Sequence, residues 1–143
     1  MSYWDTSALV KLHVQEADSA QFEALALAAP VVSGAIALHE ARTVFRRREA
    51  EGLIPAGAGA ALFQRLARSA SSDEVRVQAE TDAVGREFGD VLERCFSQTP
   101  PVFIRTNDAL HLASAKVAGE AEFVTADIRQ RAAALLLGIN VLP

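Results

Sequence analysis

Four of the eighteen acidic residues stand where oxygen ligands for a metal ion would be of use: Asp5, Glu40, Asp108 and Asp127. Asp5 follows Tyr3-Trp4, the end of a β-like run, and precedes the polar-then-apolar stretch TSALVKL. It can cap a helix there. It can also stand beyond the carboxyl end of a strand, where open α/β sheets bind ligands. Asp127 repeats the arrangement after EFVTA, and Asp108 opens the helical NDALHLASAKVA, where an acid suits the helix dipole. Glu40 interrupts an apolar helical stripe of Ile36, Ala37, Ala41 and Val44, with His39, Arg42, Thr43 and Arg46 facing elsewhere. A glutamate on that stripe loses hydration and needs a cation or hydrogen-bond donors to stay ionised. Parallel strands bring Asp5 and Asp127 to one sheet edge, and a carboxylate cluster repels itself without a cation. Mg²⁺ and Mn²⁺ suit such oxygen ligands. On this reading Ser7 caps the first helix while Asp5 faces the ion.

Other site chemistries lack their residues. His13, His39 and His111 form no HExxH pattern, so zinc hydrolysis is not expected. His111, three residues after Asp108, reads as a core-edge histidine in preference to a ligand. Cys95, the single cysteine, has no activating partner and reads as a packed side chain; it permits no internal disulfide. There is no GxGxxG or Walker A loop. A phosphatase of the haloacid dehalogenase type would place a second Asp where Ser7 stands.

The elements that must position these residues alternate between helical and short β-like runs, the pattern of an α/β domain with a mainly parallel sheet. The expected strands are Tyr3-Trp4, Val31–Ser33 closed by Gly34, VRVQ from Val75, EFVTA from Glu122 and INVL from Ile139. The expected helices are 7–14, 17–29, 35–51, 55–70, 81–96, 107–118 and 127–138, with SQTPPVFIRT as a connector. At 143 residues the chain reads as one domain, 1–143, large enough to hold a core without disulfides.

Composition sets the outer bounds. Half the residues are hydrophobic and 22% charged, as in ordinary globular proteins. No apolar run approaches the ~20 residues of a membrane helix, and MSYWDTS lacks the features of a signal peptide. The cytoplasm is the expected location, with no membrane partner. The formal charge of −4 weighs against a broad basic face for nucleic acid. Committing four carboxylates to metal, however, leaves fourteen acids against fourteen bases. Among the arginines, Arg42 and Arg46, with Arg47 and Arg48, could meet nucleic-acid phosphates or an acidic partner segment; a solvated face with Glu49 and Glu51 is the alternative. Arg105 is a candidate for phosphate contact or for an ion pair.

WDTSALVKL, the helical Glu40, RTNDALHLASA and FVTADIRQRAAALLLGINVL, in that order, resemble the PIN-domain family along essentially the whole chain. The likeness is greatest to VapC-type ribonuclease toxins of bacterial toxin–antitoxin pairs. The resemblance implies a three-layer α/β/α domain with a mainly parallel central sheet of four to five short strands. It implies acidic metal positions at Asp5, Glu40, Asp108 and Asp127, with Ser7 and Thr125 as supporting polar residues. Trp4 departs from it, standing where an aliphatic residue is usual. It further implies Mg²⁺- or Mn²⁺-dependent hydrolysis of RNA phosphodiesters, by in-line attack of a water activated by the ion. A homodimer and inhibition by a small cognate VapB-like antitoxin are implied as well. A catalytically silent PIN-like module acting by partner binding or operon repression is the competing reading.

Overall fold

A computed structural model describes residues 1–143. Five short strands form one parallel sheet: β1 (Ser2–Trp4), β2 (Val31–Gly34), β3 (Val75–Gln78), β4 (Glu122–Val124) and β5 (Asn140–Leu142), in the order β3-β2-β1-β4-β5. Helices α1 (Thr6–Val10) and α2 (Ser19–Ala28) lie between β1 and β2, and α3 (Ala35–Ala50) and α4 (Ala58–Ser71) between β2 and β3. Helices α5 (Asp82–Phe96) and α6 (Thr106–Val117) precede β4, and α7 (Ile128–Leu136) precedes β5. The parallel connections demand such crossovers, since a two-residue turn cannot return a strand to the same end of the sheet.

Strand residues alternate between two cores, as the twofold period of a strand requires. Tyr3, Val32 and Phe123 pack against α5, α6 and α7; Trp4, Val31, Val75 and Val124 pack against α1 to α4. This is the three-layer α/β/α arrangement. Trp4 is fully buried, and its indole N–H donates to Ser2 Oγ at 3.0 Å, so the bulky departure before Asp5 is accommodated inside the second core.

Some boundaries differ from the sequence expectation. The first helix is only one turn long and gives way to turns after Val10, where the backbone bonds shift to i→i+3 (Lys11 to Ala8, Leu12 to Leu9, His13 to Val10) and Lys11 pairs with Glu16 and Asp18 at 2.5 and 2.7 Å. The fourth starts at Ala58 because Gly57 takes a left-handed φ of +81° that no helix can include. The strand expected to run through Ala126 ends at Val124, after which Thr125 turns its side chain into the site.

The strand order places the topological switch between β1 and β4. The chain leaves β1 toward β2 and β3 on one side, then returns to β4 and β5 on the other. Beyond the carboxyl ends of β1 and β4 the connections diverge and a crevice opens. Asp5 follows one strand there and the Thr125–Asp127 segment follows the other.

Candidate active site

A cavity of about 680 Å³ lies in that crevice, and Asp5, Glu40, Asp108 and Asp127 all line it. Each arrives on a different element. Asp5 continues the β1–β4 pairing, its N–H donating to the Val124 carbonyl at 3.1 Å. It is itself the N-cap of α1, accepting from the Ala8 N–H at 2.9 Å. The expected division of labour is therefore corrected: Ser7 does not cap. It donates to the Asp5 carboxylate from inside the first turn, 2.8 Å from Oδ1, and accepts from the Ala126 N–H at 3.0 Å. Thr125 donates to Asp5 Oδ2 at 2.6 Å and accepts from the Asp127 N–H at 3.0 Å. Ser7 and Thr125 thus stitch the two strand ends together around one carboxylate.

Asp5 is 2% exposed, and burial raises its pKa; the nearby His111 ring and the donors Thr125, Ala8 N–H and Ser7 oppose the rise. A carboxylate held so deep is better ionised when a cation lies nearby.

Asp108 and Asp127 share a cation already on the chain. Arg105 contacts Asp108 through Nε at 2.8 Å and Nη2 at 3.2 Å, and the same Nη2 donates to Asp127 at 3.1 Å. Asp127 also caps α7 through the Arg129 N–H at 2.9 Å. Of the two roles open to Arg105 in the sequence, the ion pair is the one formed here.

Glu40 is the best-tethered acid. Its Oε2 accepts from Thr6 Oγ1 at 2.5 Å and from His111 Nε2 at 2.7 Å, and its Oε1 from Asn107 Nδ2 at 2.8 Å. Burial alone would raise its pKa, but the hydrogen bonds from His111, Thr6 and Asn107 prevail and hold it down to about 2. Glu40 does not interrupt the core, as its sequence stripe suggested. Ala37, Ala41 and Phe45 form the buried seam of α3, while Ile36, Glu40 and Val44 turn a neighbouring face to the cavity.

The arginines divide by the same helical phase. Arg42 stacks on Phe63 at 5.1 Å and Arg46 pairs with Glu49 at 2.5 Å, so neither of these expected substrate contacts lines the cavity. Arg47 and Arg48 do, with Lys11 and His39. The crevice therefore carries carboxylates at the sheet end and, toward α3, Arg47 beside an ion-paired cluster of Lys11, Glu16 and Arg48. Sequence reasoning also missed Thr6, Asn107 and the site role of His111. Asn107 and His111 are four apart on one helix, a spacing that puts both on one face.

The four carboxylates form an all-oxygen donor set of the kind hard divalent ions take. No three of them converge closely enough to chelate one ion while Arg105 bridges Asp108 and Asp127. The Arg105 side chain is 61% exposed.

The PIN-domain family model matches residues 2–136. The chain belongs to the PIN-domain family. Among solved structures, a toxin of Mycobacterium tuberculosis, VapC20, described as cleaving the sarcin-ricin loop, is similar over 93% of this chain and 95% of its own, with a TM-score of 0.72 and 21% identity. VapBC2 from Rickettsia felis, bound to a DNA fragment from its promoter, matches with a TM-score of 0.69 and 17% identity over 99% and 98% of the two chains. A toxin–antitoxin complex from Klebsiella pneumoniae gives a TM-score of 0.68 and 14% identity over 100% and 97%. At these identities the likeness establishes a shared PIN fold. No curated protein sequence matches the chain.

Proposed function

We propose that this PIN-domain protein is a Mg²⁺- or Mn²⁺-dependent endoribonuclease, the toxin of a VapBC-type toxin–antitoxin pair. One observation carries the reading: four carboxylates from separate elements meet in a single crevice at the switch point of a parallel sheet. Asp5, Asp108 and Asp127 would hold the ion, with Glu40 beside them. When bound, the ion lowers the pKa of water and stabilises charge building on a phosphate and its leaving oxygen.

The chain's own residues supply the rest. Ser7 and Thr125 keep Asp5 aimed into the crevice, and Arg105, released from Asp108 and Asp127, gains freedom to meet a phosphate. Arg47 lines the far end, beside Lys11 and Arg48 in their ion pairs with Glu16, and is the contact offered to an RNA backbone running past the acids. The solved toxins of this fold support a small antitoxin as partner, and the family resemblance supports a homodimer. No helix of the structure is long and apolar enough to cross a membrane.

The decisive experiment maps RNA 5′ ends in cells expressing the wild-type chain or Asp5→Asn. New ends are expected with the wild type, growth arrest with them, and neither with the variant. Identical end maps would sink the ribonuclease reading. In the purified, metal-free protein Asp5→Asn should keep its fold, because Asn also caps helices well.

A further inference from the structure

We infer that His111 is a positioning residue: locked from behind by Tyr3, it fixes one oxygen of Glu40 and leaves the other as the only open acceptor of that carboxylate. The inference deepens the ribonuclease reading and rests on it for its kinetic consequence, though not for its geometry.

His111 is 2% exposed and lies on α6 between the Tyr3 hydroxyl, 3.0 Å from Nδ1, and Glu40 Oε2, 2.7 Å from Nε2. An ionised carboxylate can only accept, so the proton in the second contact belongs to Nε2. A ring protonated at Nε2 alone leaves Nδ1 to accept from Tyr3. Tyr3 is suited to that duty. Its phenol is fully buried, burial pushes its pKa well above the ordinary value, and Ser114 and the Gly34 backbone face its oxygen as donors. Its own proton is directed at Nδ1. The ring is held by Phe123, stacked at 5.4 Å and 13°. The line Tyr3–His111–Glu40 thus runs from the first core into the crevice without a break.

The consequence is a count of lone pairs. Each carboxylate oxygen offers about two acceptor sites. Oε2 is filled by His111 and Thr6, and Oε1 keeps one site beyond Asn107. Glu40 therefore meets the crevice through a single site on Oε1, fixed in direction by three donors. It cannot chelate through both oxygens unless this network breaks. A group that orients one partner is what the geometry builds, and partners that orient such groups typically matter 10–100-fold for activity or metal affinity.

The test uses the full-length protein. ¹⁵N-edited NMR of the histidine rings at pH 7 should show His111 with a protonated Nε2 and an unprotonated Nδ1. Tyr3→Phe, which keeps the ring, should blur that pattern into a mixture of tautomers. On a fluescently labelled RNA oligonucleotide spanning a mapped cleavage site, His111→Ala should lower kcat about 10–100-fold with KM within about twofold. His111→Gln, whose amide can still donate to Oε2, should recover most of the loss. Mn²⁺ affinity by calorimetry is expected to stay within about threefold in His111→Gln. An Nδ1–H tautomer in the wild type, or a Tyr3→Phe spectrum identical to it, overturns the proposal; so does His111→Gln behaving like His111→Ala while remaining folded. Should the wild type cleave no RNA, the ribonuclease reading fails on its own, and the NMR arm still decides the lock.

Discussion

At the scale of single residues, Arg105 decides how the acids coexist. It gives Asp108 a two-point contact and reaches Asp127 with the same guanidinium, so a divalent ion arriving between those carboxylates must compete with it. Ion pairs with an exposed partner contribute about 0–1 kcal/mol, and 1.4 kcal/mol is a factor of ten in affinity. Arg105→Gln is accordingly expected to tighten Mn²⁺ binding about two- to fivefold in calorimetry and to lower the melting temperature of the metal-free protein by no more than about 4 °C. Weaker Mn²⁺ binding in the variant would show instead that Arg105 helps to assemble the site. The two outcomes separate a competitor from a support.

At the scale of elements, the β2–α3 junction shows how tightly the site is built into the fold. Gly34 ends β2 and caps α3 with an ordinary φ of −88°, so backbone strain is not its reason for being there. A Cβ at this position would stand 2.5 Å from the Tyr3 hydroxyl and 3.3 Å from Ser114 Oγ. Tyr3 cannot yield cheaply, because its ring is buried against Phe123 and its hydroxyl is committed to His111. Overpacking of this kind costs about 1–3 kcal/mol, so Gly34→Ala should lower the melting temperature by roughly 3–10 °C. An unchanged melt would mean that the junction relaxes at no cost. The sequence could not announce this, since the neighbour that excludes a side chain lies on another strand. What it did announce was local: the strand-then-Asp device at Asp5 and Asp127, and the first-turn acid Asp108, depend on a few consecutive residues. Glu40 was found for an incomplete reason. Its partners Thr6, Asn107 and His111 come from α1 and α6, which only the packed structure brings together. Arg42 and Arg46 were chosen by proximity in sequence. Counting seven residues on from Glu40 gives Arg47, which shares its face of α3 and does line the cavity.

At the scale of the whole molecule, glutamates tie helices to one another, and their titration weakens the fold in acid. Glu16, paired with Lys11 and Arg48, joins the segment after α1 to α3. Glu40 joins α3 to α6 across the crevice. Glu49 joins the end of α3 to the start of α4 through the Gly59 N–H at 2.8 Å. All three have folded pKa values below the ordinary one: Glu16 chiefly through the Lys11 hydrogen bond, Glu49 chiefly through Gly59, and Glu40, against burial, through His111 and its other donors, down to about 2. Groups depressed in this sense stabilise the fold fully above the unfolded value of about 4.3 and lose that contribution as pH falls toward the folded value. Asp5 runs the other way, its raised value making its charge a cost as pH rises. With these three and Asp18, lowered by its hydrogen bond from Lys11, against Asp5 alone, the melting temperature of the metal-free protein should fall below about pH 4.5. Glu49→Gln isolates one of the three, because it lies away from the crevice. Thermal melts should show the variant below the wild type at pH 7, with the gap closing as pH approaches 3, where a protonated carboxyl and an amide are both uncharged. Parallel curves across that range would mean that the tie between α3 and α4 draws nothing from the charge of Glu49.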